Sequence, residues 1–426
     1  MRLLICTLYF PPCTFTPANR IYSWAKYLNR FGIYPVIITR QWLAEIDDDF
    51  YLEKPVGDKV YVEKHADYEV HYLPFDGNYR TRSLGKRTNI LEKIVLKITT
   101  AIEMLFRYSS TSVLPYGNLV SYALKYVKDN KVDKILISGS PFLLFKIGYS
   151  ARKKFGIPWV ADYRDGWTTD NYGEIAGLLT KPVRFLNRYF EKKWLSNAAG
   201  FTTVSEFLKS GLESHLGIKG HVVYNGFFND LGGRSVTEIN KKSITFLYSG
   251  IVYPKQDYRT VVAVFKKLID TYAGTIDIKL LFLGTTYENP TFANDPVFNG
   301  YDKNILLMNR VNYADALKMH ELADVFIMLS HQGMKGIVSS KVFDYIKYNR
   351  PVVLFRNDKD VLEEILVGSN LAVIADDEIE LEQKITELVK QKIDHGSIAL
   401  DPNFEYINSF SRENQVRKLA EILKDK

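Results

Sequence analysis

The sequence predicts an α/β protein with two doubly wound parallel-sheet domains, and three observations carry this prediction. Short apolar runs alternate with stretches of helical periodicity along most of the 426 residues, which is the pattern of strands joined by crossover helices. The runs are continuously apolar, as in strands that helices cover on both faces. A polar, glycine-containing gap at residues 225–242 separates a first series of such units from a second.

The first series begins with one complete strand–helix–strand unit. Residues 3–9 form an apolar run, and after a loop, apolar residues recur at helical spacing. Gly32 is expected to end this helix, and residues 35–39 form the next strand. The same pattern recurs further along and predicts strands at 134–138, 156–162 and 201–204.

The second series begins near Ser243 and predicts a second sheet of the same type. Its expected strands are 244–249, 278–283, 305–308, 325–329, 351–355 and 371–374. We assign residues 1–228 to the first domain and residues 229–402 to the second. Residues 403–426 include a polar-faced helix from Phe410 onward, which is expected to dock back on the first domain.

Three stretches stand apart from this alternation. Residues 41–80 are expected to form a β-excursion. Residues 84–117 combine basic side chains with apolar residues at helical spacing, which predicts a long amphipathic helix or a pair of helices. We favour a helix that faces the core and carries a solvated basic face, and a surface that approaches anionic lipid is the alternative. The basic, aromatic helix expected at 181–195 is either a packed helix with a charged face or a surface for a lipid-diphosphate acceptor.

Composition restricts the class of protein. The 56 basic and 49 acidic residues give a net charge of +7, which suits an anionic ligand or an acidic membrane surface but is too mild to indicate nucleic acid. Cys6 and Cys13 are the only cysteines, so we exclude a disulfide scaffold and expect a reducing cytoplasm. The apolar N-terminal run stops at Pro11-Pro12, and no run reaches the length of a membrane span. We expect a cytoplasmic protein, and peripheral contact with the inner face of the membrane stays open.

The turns after the predicted strands lack several well-known motifs. The first turn has no G-x-G-x-x-G, which disfavours a dinucleotide dehydrogenase, and no phosphate-binding P-loop motif occurs. Zinc-hydrolase and serine-hydrolase motifs are also absent from the sequence. These absences leave the zinc-hydrolase and serine-hydrolase interpretations without support.

The most informative turn follows the strand predicted at 325–329. A helix is expected to begin at Ser339 or Ser340, both good N-cap residues, and Lys341 lies in its first turn. Free backbone N–H groups, two hydroxyls and an ammonium together suit a phosphate or diphosphate. Asp344, one turn later, is positioned to accept hydrogen bonds from ligand hydroxyls such as those of a ribose. The alternative is a capped helix with a surface lysine and a solvated carboxylate.

This turn, with Asn349-Arg350-Pro351 after it, resembles the nucleotide-sugar signature of the GT-B glycosyltransferases, specifically the retaining family 4. Further stretches are similar to that family in the expected order along nearly the whole chain. They are Tyr9-Phe10-Pro11-Pro12, Ala18-Asn19-Arg20, Gly156-Ile157-Pro158-Trp159-Val160-Ala161-Asp162-Tyr163-Arg164-Asp165-Gly166-Trp167-Thr168, Thr202-Thr203-Val204-Ser205-Glu206, Tyr224-Asn225-Gly226-Phe227 and Tyr248-Ser249-Gly250-Ile251-Val252-Tyr253-Pro254-Lys255.

The resemblance implies two Rossmann-like domains that face each other across a cleft. It implies a nucleotide diphosphate-sugar on the second domain and an acceptor hydroxyl presented from the first. The resemblance further implies hexosyl transfer with retention of configuration, with no metal and no bound cofactor. Its setting would be bacterial capsule, O-antigen or other surface-polysaccharide synthesis. The acceptor would be a glycan or a polyprenyl-diphosphate-linked glycan, and helices at 84–110 and 181–195 would supply any membrane contact.

The chain departs from the family pattern at one acidic position. The family's pair of acids, eight residues apart, corresponds here to Gly336 and Asp344. The first acid, which in relatives lies near the donor sugar, is therefore missing. Asp344 keeps a carboxylate for the ribose but is one methylene shorter.

The remaining candidates fall into three groups. Asp162, Arg164 and Asp165 follow a first-domain strand and are the catalytic candidates, with an internal ion pair between Arg164 and an aspartate as the alternative. Lys255 is a candidate for the donor diphosphate, with a surface lysine as the alternative. The full donor set is Gly250, Lys255, Ser339, Ser340, Lys341 and Asp344, and the acceptor-side set is Arg20, Ser138 and Ser140.

Two other functions remain open on the sequence. A nucleotide-sugar epimerase shares this architecture but needs no acceptor. A nucleotide-sugar-binding partner protein with little or no catalysis is suggested by Gly336 in place of an acid.

Overall fold

A computed structural model of the chain describes residues 1–13, 15–43, 54–83, 89–110, 113–169, 180–229, 242–285, 290–311 and 313–425. The described residues divide into two compact units. Residues 1–224 and 415–426 form the first unit, and residues 225–414 form the second. Most of the gap predicted at 225–242 lies outside the described residues.

The first unit is built on an eight-stranded sheet with helices between its strands. Its elements are β1 (Arg2–Cys6), α1 (Thr16–Tyr27), β2 (Tyr34–Arg40), β3 (Tyr61–Lys64), β4 (Glu69–Leu73), α2 (Tyr79–Ser83), α3 (Ile90–Phe106), α4 (Gly117–Asp129), β5 (Lys134–Ser138), α5 (Phe145–Phe155), β6 (Trp159–Asp162), α6 (Thr180–Leu195), β7 (Gly200–Thr203), α7 (Glu206–Leu216) and β8 (Gly220–Val222).

The sheet of the first unit confirms the predicted parallel, doubly wound topology. Its strand order is β3-β4-β2-β1-β5-β6-β7-β8, and β1 pairs in parallel with both β2 and β5. The exception is β3, which pairs antiparallel with β4 at the edge and forms the expected β-excursion. Because β1 is central, its apolar run is buried by helices on both faces.

The second unit repeats this plan with a six-stranded sheet. Its elements are β9 (Ser243–Ser249), α8 (Tyr258–Thr271), β10 (Asp277–Leu283), α9 (Pro290–Ala293), β11 (Ile305–Met308), α10 (Tyr313–Leu322), β12 (Val325–Leu329), α11 (Lys341–Ile346), β13 (Val352–Phe355), α12 (Val361–Gly368), β14 (Ala372–Ala375), α13 (Glu378–His395) and α14 (Phe404–Ser409). The strand order is β11-β10-β9-β12-β13-β14, and every pair is parallel. The order reverses next to β9, which is where ligands of such sheets bind.

The C-terminal region contains α14 and a further helix, α15 (Arg412–Lys424), where the sequence suggested one helix from Phe410. From Gln415 onward, α15 belongs to the first unit. The Lys134 Nζ atom donates hydrogen bonds to the backbone oxygens of Leu423 (2.6 Å) and Asp425 (2.9 Å). Gln415 accepts one from the backbone N–H of Tyr224 at 2.8 Å.

The expectation that the amphipathic helix within 84–117 packs against the core is wrong. That helix is α3, and none of its residues is buried. Its apolar side chains are therefore available to a surface outside the unit. No helix in the described part of the chain is long and apolar enough to cross a membrane.

Candidate functional site

The predicted acceptor-side residues gather at the carboxyl ends of β5 and β6. Asp162, the last residue of β6, is fully buried and forms an ion pair with Arg20 of α1 at 2.8 Å. Its carboxylate also accepts hydrogen bonds from Ser138 at 3.0 Å and from Thr202 at 2.8 Å. Arg20 donates further to the backbone oxygen of Val223 at 2.7 Å.

This enclosed network changes the interpretation of three predicted residues. Asp162, Arg20 and Ser138 are each less than 3% exposed and direct their polar atoms at one another. They hold α1 and β5 against β6, and none of them offers a free polar group to an acceptor. The ion pair considered between Arg164 and an aspartate is not formed among the described residues, because Asp162 pairs with Arg20 and the side chain of Arg164 points to a different turn.

Arg164 secures the turn after β5. Its guanidinium donates to the backbone oxygen of Gly139 at 3.0 and 2.8 Å and to that of Ser140 at 3.2 Å. Burial lowers the pKa of Arg164, and the nearby carboxylates of Asp165 and Asp162 partly oppose that shift. Among the described residues it forms no ion pair, so its positive charge remains available to an anionic ligand.

Asp165 and Ser140 keep free polar groups. Asp165 is exposed, and neither its carboxylate nor the Ser140 hydroxyl makes a hydrogen bond with the described residues. Of the three predicted catalytic residues, Asp165 is therefore the carboxylate that can reach a ligand hydroxyl.

Lys341 contacts one other predicted donor residue, Gly250, at the switch between β9 and β12. Its Nζ donates to the Tyr248 hydroxyl at 2.8 Å and to the backbone oxygen of Ile251 at 3.3 Å. Gly250 has φ of +98°, and a Cβ there would lie 2.7 Å from Lys341 Cε. Only glycine therefore lets the lysine pack beside the end of β9.

The environment of Lys341 leaves its charge without a counter-ion. Burial lowers the pKa of Lys341 to about 7, and among the described residues no carboxylate pairs with it. Its Nζ lies 4.2 Å from the centre of the Tyr248 ring, whose face stabilises a cation. An anionic ligand at this position would supply the missing charge partner and favour the protonated amine.

The two serines before α11 also keep free hydroxyls. The helix covers only Lys341–Ile346, and Ser340 is its N-cap residue, as predicted. The expected side-chain cap is not formed, because Ser340 has helical φ and ψ of −59° and −21°. Neither Ser339 nor Ser340 makes a side-chain hydrogen bond with the described residues, so both hydroxyls can bind a ligand.

Asp344 carries an unpaired carboxylate on the same short helix. Burial raises the pKa of Asp344 to about 6, and the charges of Arg412 and Lys347 partly oppose that rise. The carboxylate makes no hydrogen bond with the described residues. It is suited to accept hydrogen bonds from ligand hydroxyls.

Lys255 and His331 occupy the neighbouring loops. Lys255 is exposed. Burial lowers the pKa of His331, and the charges of Lys341 and Lys255 add to that shift. Gln256, next to Lys255, is buried and joins these loops by donating to the backbone oxygen of Leu329 at 2.7 Å and accepting from Tyr253 N at 2.9 Å. Gln256 and Tyr248 support the donor turn, and sequence reasoning missed their role because neither residue type is diagnostic.

A carboxylate does lie next to Gly336, although the chain has no acid at that position. The Gly336 N–H donates a hydrogen bond to the Asp360 carboxylate. Asp360 immediately precedes α12, 24 residues further along the chain. No sequence signal identified it, because the pairing depends on how the loop after β12 lies against the loop after β13.

The described residues contain no group of three or more histidines, cysteines or acids placed to hold a metal ion.

Comparison with known proteins shows that the chain resembles GT-B glycosyltransferases. Residues 18–227 match the family model described as Glycosyltransferase Family 4. The whole chain superimposes on sucrose-phosphate synthase from Thermosynechococcus elongatus, with a TM-score of 0.64, 13% identity, and 100% and 98% of the two chains covered. It also superimposes on HepE from Anabaena in complex with UDP, with a TM-score of 0.62, 13% identity and 99% of each chain covered.

These matches confirm the GT-B fold and the likeness to family 4. A UDP-GlcNAc 2-epimerase from Methanocaldococcus jannaschii also shares the fold, with a TM-score of 0.52, 14% identity and 99% of each chain covered. No curated protein matches the sequence significantly.

Proposed function

We propose that the chain, a family 4-like glycosyltransferase of the GT-B fold, transfers a hexosyl group from a nucleotide diphosphate-sugar to a hydroxyl of a glycan or lipid-linked acceptor. The observation that carries the proposal is the Lys341 ammonium, which packs against Gly250 and has no carboxylate partner among the described residues. It directly follows Ser339 and Ser340 in the chain, whose hydroxyls make no hydrogen bond with the described residues. This set of donors fits a diphosphate. HepE was solved with UDP, so UDP is the first nucleotide to test.

Each donor residue has a defined role in this proposal. Lys341 and the two serines bind the diphosphate, and the lysine charge stabilises the nucleoside diphosphate as it leaves. Asp344 accepts hydrogen bonds from the ribose hydroxyls. Lys255, exposed nearby, adds positive charge for the phosphates. With these cations in place, the reaction needs no metal.

The sugar itself is handled by a residue that replaces the missing acid. Asp360 presents its carboxylate beside Gly336, and we assign it to the donor sugar. On the acceptor side, Asp165 orients the attacking hydroxyl, and Arg164 faces an anionic group of the acceptor. We further propose that the reaction retains the anomeric configuration. We also propose that the enzyme acts in surface-polysaccharide synthesis, in the cytoplasm at the inner face of the membrane.

Nucleotide-induced thermal shift tests the donor site. We expect one of UDP, GDP, CDP, dTDP and ADP to stabilise the protein, by about 2.7 kcal/mol at a hundredfold excess over Kd. The shift should fall in Ser340→Ala and Lys341→Ala and persist in Lys390→Ala, which removes an exposed lysine from α13. No shift with any nucleotide would contradict the donor assignment.

The Asp360→Asn variant separates the sugar role from nucleotide binding. The asparagine oxygen can still accept the Gly336 N–H, so the loop is kept while the charge is lost. We expect an unchanged nucleotide shift but slower release of nucleotide from the sugar donor, with water as acceptor. An unchanged release rate would exclude Asp360 from the reaction.

An epimerase is the second candidate, because a solved epimerase shares the fold. Incubation with sugar nucleotide alone distinguishes the two. An epimerase would return an isomerised sugar still attached to its nucleotide, whereas a transferase would leave the donor intact or release the nucleotide.

A further inference from the structure

The six residues after β6 carry two of the acceptor-side groups that remain available to a ligand. Residues 163–168 directly follow Asp162, and Arg164 and Asp165 lie within them. None of the six belongs to a helix or a strand. The Asp165 carboxylate makes no hydrogen bond with the described residues, so its position depends on the backbone that carries it. Whatever holds the two ends of this segment therefore decides where that carboxylate lies.

A single carboxylate, that of Glu191 in α6, is bonded to both ends of the segment. Its Oε1 atom accepts a hydrogen bond from the Tyr163 hydroxyl at 3.1 Å, and its Oε2 atom accepts one from the Thr168 hydroxyl. Tyr163 is the first residue of the segment and Thr168 is the last. Glu191 and Tyr163 are fully buried, so the bond between them is shielded from water. One side chain thus fixes the distance that the segment spans.

His215, in the last turn of α7, also contacts this carboxylate. Its Nε2 atom lies 3.2 Å from Glu191 Oε2 and 3.2 Å from Thr168 Oγ1. An ionised carboxylate only accepts hydrogen bonds, and the Thr168 proton is directed at Glu191, so we assign a proton to Nε2. The side chain of His215 is 6% exposed and that of Glu191 is 0% exposed. The histidine therefore gives a buried carboxylate a third donor.

The protons in this Glu191 network (Glu191, His215, Tyr163 and Thr168) are directed at the carboxylate. Burial, with the charge of Glu191 and the hydrogen bond to it, raises the pKa of Tyr163 well above its usual value, so the phenol stays protonated. A nucleophilic threonine would need a neighbouring base that takes its proton. His215 Nε2 already carries a proton and has no lone pair for Thr168. The network therefore holds its members in place and does not form a reactive pair.

Stability alone does not account for such a network. A buried carboxylate with its partners is often no more stabilising than apolar side chains of similar volume. A fully bonded polar network does, however, fix one arrangement of its members. A ring contact acts at the same end of the segment, because Trp167 lies 5.8 Å from Trp194 of α6, measured between ring centres. The segment is thus tied to α6 by both polar and aromatic contacts.

We propose that Glu191 and His215 are positioning residues, which set the place of Asp165 by holding both ends of residues 163–168. The inference rests on the proposed glycosyl transfer, in which Asp165 orients the attacking hydroxyl. A misplacement of about 1 Å at a reacting group costs roughly 100-fold in rate. Loss of one end bond should therefore slow the reaction and leave the donor site intact.

Hydrogen exchange read by mass spectrometry tests the network without any substrate. Thr168→Val removes the hydroxyl at one end and keeps the shape of the side chain, whereas Thr168→Ser keeps the hydroxyl. We expect amides of residues 163–168 to exchange at least tenfold faster in Thr168→Val and at the parent rate in Thr168→Ser. Thr39→Val is the matched control, because it removes a buried hydroxyl that donates to the Leu8 backbone oxygen at 3.1 Å. Unchanged exchange in Thr168→Val would overturn the proposal.

A double-mutant cycle with Asp165 distinguishes positioning from general support of the fold. The measured rate is release of UDP from UDP-glucose, with water as acceptor. We expect Thr168→Val to lower kcat at least tenfold and to leave KM for UDP-glucose within twofold. In an Asp165→Asn background the same substitution should lower kcat no further, because the network acts through that carboxylate. An equal loss in both backgrounds would show that the network only supports the fold, and would overturn the proposal.

Two substitutions of His215 give an independent pair. The side-chain amide of His215→Gln can donate from the place of Nε2, whereas His215→Leu cannot donate. We expect the leucine variant to lower kcat as Thr168→Val does, and the glutamine variant to keep the parent kcat. An equal loss in both variants would overturn the role given to His215.

The nucleotide shift separates this inference from the proposed function. Thr168→Val should retain the shift seen in the unmodified protein, since the network contacts no donor residue among the described ones. If the unmodified protein shows no shift with any nucleotide, then the donor assignment fails. The exchange measurement still decides whether Glu191 holds the segment, because it needs no substrate.

Discussion

Lys341 is held in the second unit at a cost to stability. Burial lowers the pKa of Lys341 from its ordinary 10.5 to about 7, so the folded state disfavours the charge that a diphosphate needs. Two hydrogen bonds and the Tyr248 ring offset part of that cost. Such a conflict between stability and charge is characteristic of a binding residue.

The sign of this effect gives a test with Lys341→Met. Between pH 7 and pH 10.5, Lys341 binds its proton more tightly in the unfolded chain than in the folded protein. Burial of Lys341 therefore destabilises the folded protein fully below about pH 7, and this destabilisation disappears towards pH 10.5. The methionine variant should therefore have a higher melting temperature than the parent at pH 7, by roughly 2–4 °C for each kcal/mol gained in unfolding free energy. The gain should shrink at pH 9.5, and nucleotide binding should be lost. A lower melting temperature at pH 7 would indicate a structural lysine.

Asp162 and Asp165 lie three residues apart but should have different roles, the first in stability and the second in activity. Arg20→Met leaves the buried Asp162 carboxylate without its cation, which should cost about 3–5 kcal/mol of unfolding free energy. Asp165→Asn alters an exposed carboxylate and should leave stability unchanged, while slowing transfer to acceptor by roughly 100-fold or more. Denaturant unfolding measures the change in stability, and initial-rate assays measure the change in transfer rate. If Asp165→Asn transfers sugar at the parent rate, its assignment as the acceptor-orienting carboxylate is wrong.

Helices in this chain differ in what holds them. Most are held by a buried apolar stripe, as α13 is by Leu381, Ile385 and Val389, whereas α3 has no buried residue and depends on its own hydrogen bonds and cap. A helix of that length is marginal without packing. We therefore expect α3 to be the least stable helix of the first unit in water.

Removing the cap tests this expectation. Asn89→Ala should cost α3 about 1 kcal/mol and speed amide exchange along the helix without changing the global melting temperature. Asp377→Ala, which removes the cap of the packed α13, should instead lower the melting temperature without opening that helix selectively. Hydrogen exchange read by mass spectrometry distinguishes the two, and slow exchange throughout α3 in Asn89→Ala would contradict the prediction.

At the scale of the whole molecule, each unit has its own sheet and its own apolar core. The chain returns to the first unit at its C-terminal end, where Val416, Leu419, Ala420 and Leu423 are buried. The first unit is therefore assembled from two distant stretches of sequence, and its stability depends on both.

Deletion of residues 415–426 should destabilise the first unit selectively. The loss of two buried leucines alone is worth about 3–6 kcal/mol. Calorimetry should show the first unit melting earlier, while the transition that nucleotide stabilises stays in place. Lys134→Met, which removes the two hydrogen bonds to the C-terminal backbone, should have a smaller effect in the same direction. A shift of the nucleotide-sensitive transition instead would contradict this assignment.

The fold was predictable to the level of individual strands. For the turn before α11, the start of the helix was predictable but the side-chain contacts were not. The strand expected at 325–329 is β12, and the one expected at 244–249 is β9 with one residue more. Ser340 was correctly expected as the N-cap residue, but its missing side-chain bond depends on backbone angles that no residue type determines. The packing of α3 was misjudged because amphipathicity specifies an apolar face without specifying what covers it.

The sequence alone determined the alternation of strands and helices, the two sheets and the family likeness, because these depend on local periodicity and on motifs in order. Tertiary structure decided which charges are available. It paired Asp162 with Arg20, left Asp165 exposed and brought Asp360 to Gly336. It also left Lys341 without a counter-ion among the described residues. Contacts between residues 24 to 142 positions apart depend on how loops and helices pack, and that information is absent from any local pattern.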